Sequence, residues 1–135
     1  AAAGSASLTP VLLPREMGTL GGYGTGGGAR DADGLPASLK SRVASVSCGG
    51  GFTLAVTNGG KVYAWGSWAR GRLGLGMPPE RTTRGKKRVP RFQVTPRRVS
   101  GLGSAPVVQV AAGAWHGMAL TEDGEVYTWG HNASG

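Results

Sequence analysis

Two stretches of the chain alternate large apolar residues with small or polar ones at a period of two. The first begins at Val43 and Val46, runs through Phe52, Leu54 and Val56, turns at Thr57-Asn58-Gly59-Gly60 and returns as Lys61-Val62-Tyr63-Ala64-Trp65. Such alternation puts one set of side chains on each face of a strand, and Asn-Gly-Gly supplies the positive φ that a tight hairpin needs. The second stretch does the same with Val107, Val108 and Val110, then Trp115 to Leu120, a turn at Glu122-Asp123-Gly124, and Val126-Tyr127-Thr128-Trp129. No segment keeps a helical period between caps. The pattern predicts an all-β chain built from antiparallel hairpins.

The two stretches are copies. Val46 to Gly71 and Val110 to Gly135 overlay without a gap at an offset of 64 residues and agree at 11 of 26 positions. The matches include Gly49/Gly113, Gly60/Gly124, Val62/Val126, Tyr63/Tyr127, Trp65/Trp129 and Gly66/Gly130: glycines where turns fall, and large side chains where a strand packs. A repeat of this length signals a solenoid or propeller, in which each unit buries its apolar face against its neighbour. About two units are present where roughly three are needed for stability, so the chain reads as part of a longer protein.

Composition adjusts this picture without overturning it. Glycine makes up 26 of 135 residues, with no collagen period, as a turn-dense β protein would have it. No apolar run is long enough to span a membrane as a helix. A lone cysteine, Cys48, cannot form an internal disulfide and favours a reducing, intracellular setting; cytoplasm, cytoskeleton or an organelle is expected ahead of the nucleus. The formal charge of +8 is concentrated. Arg81, Arg84, Lys86, Lys87, Arg88, Arg91, Arg97 and Arg98 stand against Glu80 alone between positions 77 and 98, and the rest of the chain is nearly balanced.

At the repeated residues the chain resembles the regulator of chromosome condensation repeat family, whose unit is written V-x-x-G-x-x-H-x-x-A-L-T-x-x-G-x-V-Y-x-W-G-x-N-x-x-G-Q-L-G-x-G. The second copy carries His116, Ala119, Leu120, Thr121, Gly124, Val126, Tyr127, Trp129, Gly130, Asn132 and Gly135 at the matching places. The first extends through Gly71-Arg72-Leu73-Gly74-Leu75-Gly76, and departs at Phe52 (for His), Trp68 (for Asn) and Arg72 (for Gln). A decayed G-x-L-G stands at Gly18 to Gly21. The resemblance implies a partial β-propeller: about two four-stranded antiparallel blades of a ring that normally has seven. It divides the chain into an arm and Gly-rich loop over 1–35 (the remnant of a preceding blade), a first repeat over 36–76, a basic, proline-containing insertion loop over 77–99, and a second repeat over 100–135 that stops inside its motif.

Chemistry is sparse. The run GGYGTGGG at 21–28 lacks the Lys-Ser/Thr of a phosphate loop and a strand and helix to frame it. Two histidines, one cysteine and scattered serines assemble neither a metal cluster nor a nucleophile triad. No catalytic, metal or cofactor residue is assigned, and a non-enzymatic module is expected. Trp65, Trp129, Tyr63, Tyr127, Gly60 and Gly124 recur in both copies and so read as packing and turn residues. Asn132-Ala133-Ser134 fits a glycosylation acceptor and, equally, the family's N-x-x-G corner. The eight basic residues of the insertion are the one functional candidate. They would dock an acidic partner, RNA or an acidic protein surface, by charge neutralisation; RGKKRV at 84–89 could also serve as a nuclear import signal. The expected partners are the remaining blades of the same protein or the neighbouring subunits of a large complex. The alternative that the resemblance implies is guanine-nucleotide exchange on a small GTPase. Among the family's other members are light receptors and parts of ubiquitin ligases.

Overall fold

A computed structural model describes residues 42–133. The expectations for the arm, for Gly18 to Gly21, for the first residues of the leading repeat and for Ser134 and Gly135 lie outside the described residues. Among the described residues nine strands form three antiparallel sheets. The first is four-stranded, in the order β1 (Val43–Cys48), β2 (Phe52–Thr57), β3 (Val62–Ser67) and β6 (Phe92–Arg98). The second is a two-stranded ribbon of β4 (Arg81–Thr83) and β5 (Lys86–Arg88). The third is β7 (Val107–Ala112), β8 (His116–Thr121) and β9 (Val126–Gly130), in that order. The only helical element among the described residues is a 3-10 turn at Ala69–Gly71.

The two copies fold alike because the same residues close the same turns. Thr57 and Thr121 are both buried and stand at the ends of β2 and β8. Each donates its amide to the carbonyl four residues on (Lys61 and Glu125, both 2.9 Å), and each hydroxyl accepts that residue's amide, at 3.2 and 3.0 Å. The turns need a positive φ at Gly60 (76°) and Gly124 (85°), a region costly for any residue with a Cβ. Even the irregularity is copied, with a bulge at Val43/Ser45 in the first sheet and at Val107/Gln109 in the second.

Leu54, Val56, Val62 and Ala64 project from one face of the first sheet and join Val107, Val110 and Ala119 of the second, with Leu73 and Trp68, in one buried cluster. Polar contacts lock the faces together. Ser47 Oγ accepts the Ala112 amide at 2.9 Å, Gly113 O accepts the Gly50 amide at 3.1 Å, and Gly60 O accepts the Val107 amide at 3.1 Å. The packing is one-directional. Val110 is 5% exposed beneath the first sheet, whereas its copy Val46, on the opposite face of that sheet, is 59% exposed.

The expectation of one insertion loop across 77–99 is corrected. Residues 92–98 are β6, the fourth strand of the first blade, pairing Arg98 with Tyr63, Ala64 with Arg97 and Ser67 with Phe92. Pro96 is tolerated because β6 is an outermost strand with a bulge between Ala64 and Gly66, where a missing N–H breaks no ladder. Within the remainder, the segment folds as the β4–β5 ribbon.

Candidate acidic-partner interface

The ribbon is built by its turn. Arg84 and Gly85, the two residues between β4 and β5, have φ of 54° and 73°, the pair of positive values that a two-residue hairpin of matching twist requires. Gly85 takes this without cost; Arg84 does not. Register places Arg81 opposite Arg88, Thr82 opposite Lys87 and Thr83 opposite Lys86. All of residues 81–89 are exposed. Lys87 Nζ lies 3.3 Å from Glu80 Oε2, an exposed pair worth little to stability.

The eight basic residues do not form one loop. Five sit on the ribbon: Arg81, Arg84, Lys86, Lys87 and Arg88. Arg91 stands between ribbon and blade, its carbonyl accepting the Trp68 amide at 3.0 Å. Arg97 and Arg98 are exposed on β6. Arg98 lines a cleft of about 610 Å³ with Lys61, Ser100, Gly101 and Ser104, between the Gly59 to Val62 turn and the connection into β7. Charge density is therefore highest on the ribbon.

Of the aromatic repeat residues, Trp129 and Tyr127 sit at the blade junction. Trp129 lies over Gly74 and Gly117, where any Cβ would strike its indole, and its Nε1 donates to the Arg72 carbonyl at 2.9 Å. Arg72, which stands in place of the family's glutamine, is buried, and its guanidinium donates to Ala69 O at 2.7 Å and to Gly50 O. Tyr127 donates its hydroxyl to Glu125 Oε2 at 3.0 Å, and that bond, foremost, holds its pKa above the ordinary 10.0. Trp65 and Tyr63 are half-buried on the first sheet. His116 packs its ring on Gly113, as Phe52 packs on Gly49, so the two rings fill equivalent places.

Sequence reading missed one constellation. Arg70 stacks 4.6 Å above the Trp115 ring and donates to His131 Nε2 at 3.0 Å, while Trp115 and His131 meet edge to face at 5.6 Å. The cluster joins the 3-10 turn of the first blade to the start of β8 and the end of β9. Its one signal in the sequence is a break in the repeat, since Trp115 stands where the first copy has Gly51. Among the described residues no group of three His, Cys, Asp or Glu could hold a metal ion, and no helix is long and apolar enough to cross a membrane.

Comparison with known proteins agrees with this geometry. One model of the regulator of chromosome condensation (RCC1) repeat matches residues 43–71 and 107–135, the two copies in register, and a second model of the same repeat matches 59–120. The human E3 ubiquitin-protein ligase HERC2 is 39% identical over 120 residues, covering 85% of this chain and 2% of the ligase. The Arabidopsis thaliana mitochondrial RCC1 domain-containing protein RUG3 is 37% identical over 119 residues, covering 84% of this chain and 24% of that protein. Prp20p, the RCC1 of Saccharomyces cerevisiae, superposes with a TM-score of 0.54 at 24% identity, over 71% of this chain and 22% of its own. This chain thus spans a quarter or less of each. Two blades with the family's turns, glycine seats and tryptophan contacts, matched by two family models between residues 43 and 135, place the chain in the regulator of chromosome condensation repeat family.

Proposed function

We propose that the chain is a non-enzymatic interaction module, a rigid pair of propeller blades that carries a basic ribbon to an acidic partner within a larger assembly. The observation that carries this reading is the exposed β4–β5 ribbon. Among the described residues its five cations are balanced by Glu80 alone, and they hang from a blade whose own core is complete without them. Residues 81–89 contribute nothing to the buried cluster, so folding gives no account of their charge. A dense cationic surface raises the local concentration of an acidic partner and speeds its encounter.

A second reading rests on Prp20p, whose structure is described together with its binding to Gsp1p and histones. By that analogy the chain would belong to a regulator of a small GTPase, acting by guanine-nucleotide exchange. The likeness is one of fold, and fold does not fix function.

An affinity purification of the parent protein from its native cells, analysed by mass spectrometry at low and moderate salt, separates the two. Recovery of a multi-subunit particle that is lost when Lys86, Lys87, Arg88 and Arg91 are changed to glutamine supports the docking role. Recovery of a nucleotide-free GTPase alone, indifferent to those changes, refutes it.

A further inference from the structure

We propose that the ribbon grips the phosphodiester backbone of a nucleic acid with one of its two faces; the inference rests on the docking reading above and names the partner's chemistry. Cross-strand partners share a face and neighbours along a strand alternate. Arg81, Arg88, Thr83 and Lys86 therefore lie on one side of the ribbon, and Thr82 and Lys87 on the other. The Lys87 side is closed by Glu80. The Arg81 side has three cations, and among the described residues no carboxylate pairs with them.

That side is unfavourable as it stands. Arg81 and Arg88 are directly opposed, and like charges across a strand pair are destabilising. The ribbon has only three residue pairs and no apolar pair to offset this. An anion seated between the two guanidiniums converts the repulsion into a clamp, because each presents forked donors that match a phosphate. Lys86 lies two residues from Arg88, about 6.6 Å along the strand, in position for the next phosphate of a chain. The Thr83 hydroxyl adds a donor on the same side.

The same surface disfavours an acidic protein. Protein interfaces gather their energy in a desolvated centre of aromatic or aliphatic side chains. The uncharged residues from 81 to 88 are Thr82, Thr83 and Gly85 alone. Without an aromatic there is also no platform for stacking bases, so the contact reads the backbone and not the sequence.

The test is fluorescence anisotropy with the full chain, using two duplex oligonucleotides of unrelated sequence and a polyglutamate peptide, over a salt series. The triple variant Arg81→Gln, Lys86→Gln, Arg88→Gln alters exposed side chains only, and an unchanged melting temperature checks its fold. Losing about three phosphate contacts lowers the slope of log affinity against log salt by about 2.7, so between 50 and 200 mM salt the unmodified chain loses roughly 40-fold more affinity than the variant. The Glu80→Gln change frees Lys87 on the far face and leaves the slope unchanged; a slope steeper by about 0.9, one further phosphate contact, overturns the assignment of the two faces. The two duplexes bind within a few-fold of each other, and a large preference for one overturns backbone readout. If polyglutamate binds as tightly as the duplexes and is equally sensitive to the triple variant, the partner is an acidic protein: this inference falls and the docking reading stands. If the triple variant alters binding of neither polyanion, both fall.

Discussion

The two tryptophans nearest the blade junction should respond in opposite order to what their burial suggests. Trp68 is 7% exposed within the core cluster, and its Nε1 is buried without a hydrogen-bond partner among the described residues. Trp129 is less deeply buried, and its Nε1 donates to Arg72 O at 2.9 Å. Changing either to phenylalanine removes roughly 40 Å² of apolar surface, about 1 kcal/mol, and a fully buried site adds about 1 kcal/mol for the void left behind. On apolar burial alone, Trp68→Phe is the worse change. Hydrogen bonding reverses the order. An unpaired buried donor costs about 1–3 kcal/mol, so its removal at position 68 offsets most of the packing loss and leaves the variant within about 1 kcal/mol of the parent. At position 129 the substitution breaks a bond worth about 1 kcal/mol and strips a part-buried carbonyl of its donor, for a total near 2–3 kcal/mol. Urea denaturation of both variants, compared by midpoint at equal slope, measures the difference directly. A Trp68→Phe variant that loses as much stability as Trp129→Phe refutes the reasoning.

Two further outcomes follow from single contacts. Gly60→Ala should cost more than Gly124→Ala: both pay about 1 kcal/mol for a Cβ at positive φ, but a Cβ at Gly60 also strikes Pro106, whereas nothing lies within 4 Å at Gly124, and thermal denaturation ranks the pair. Glu125→Gln should lower the Tyr127 pKa in an ultraviolet titration. Because the folded-state value is raised, Tyr127 adds stability that is fully present below the ordinary tyrosine range and is lost as pH climbs through the raised value, so the variant should be less stable than the parent near neutral pH and converge on it in strong alkali. An unchanged titration in the variant would mean the hydroxyl does not depend on Glu125.

How legible the molecule was depended on whether a feature repeats. Strands β1 to β3 and β7 to β9 follow from alternation bracketed by Thr57/Gly60 and Thr121/Gly124, since a buried face forces period two and the turns force glycine. Strand β6 was hidden, because Phe92, Gln93, Val94 and Thr95 alternate for only two cycles before Pro96 and two arginines. The ribbon was hidden for a related reason: strands of three charged residues have no apolar face to pattern, and Arg84 carries a positive φ that its identity does not advertise. Arg72 stood out in the sequence as a departure, but its reach to Gly50 O could only be learned from the way two distant segments meet. The Arg70, Trp115 and His131 cluster is tertiary throughout and belongs to neither copy's motif.

The contrast between Val110 and Val46 has a consequence for assembly. A contact in which one surface of a unit receives a different surface of its copy is head-to-tail, and such contacts carry no internal stop. They end only when the accumulated rotation returns the last unit to the first. Blades joined this way lend each other stability in one direction along the chain, so a substitution at the receiving side of one blade weakens the seating of the next. A segment covering Val46 would inherit the geometric demands that the first repeat meets at Val110: a small apolar centre, a hydroxyl at the place of Ser47 to accept an amide, and a glycine seat for an indole.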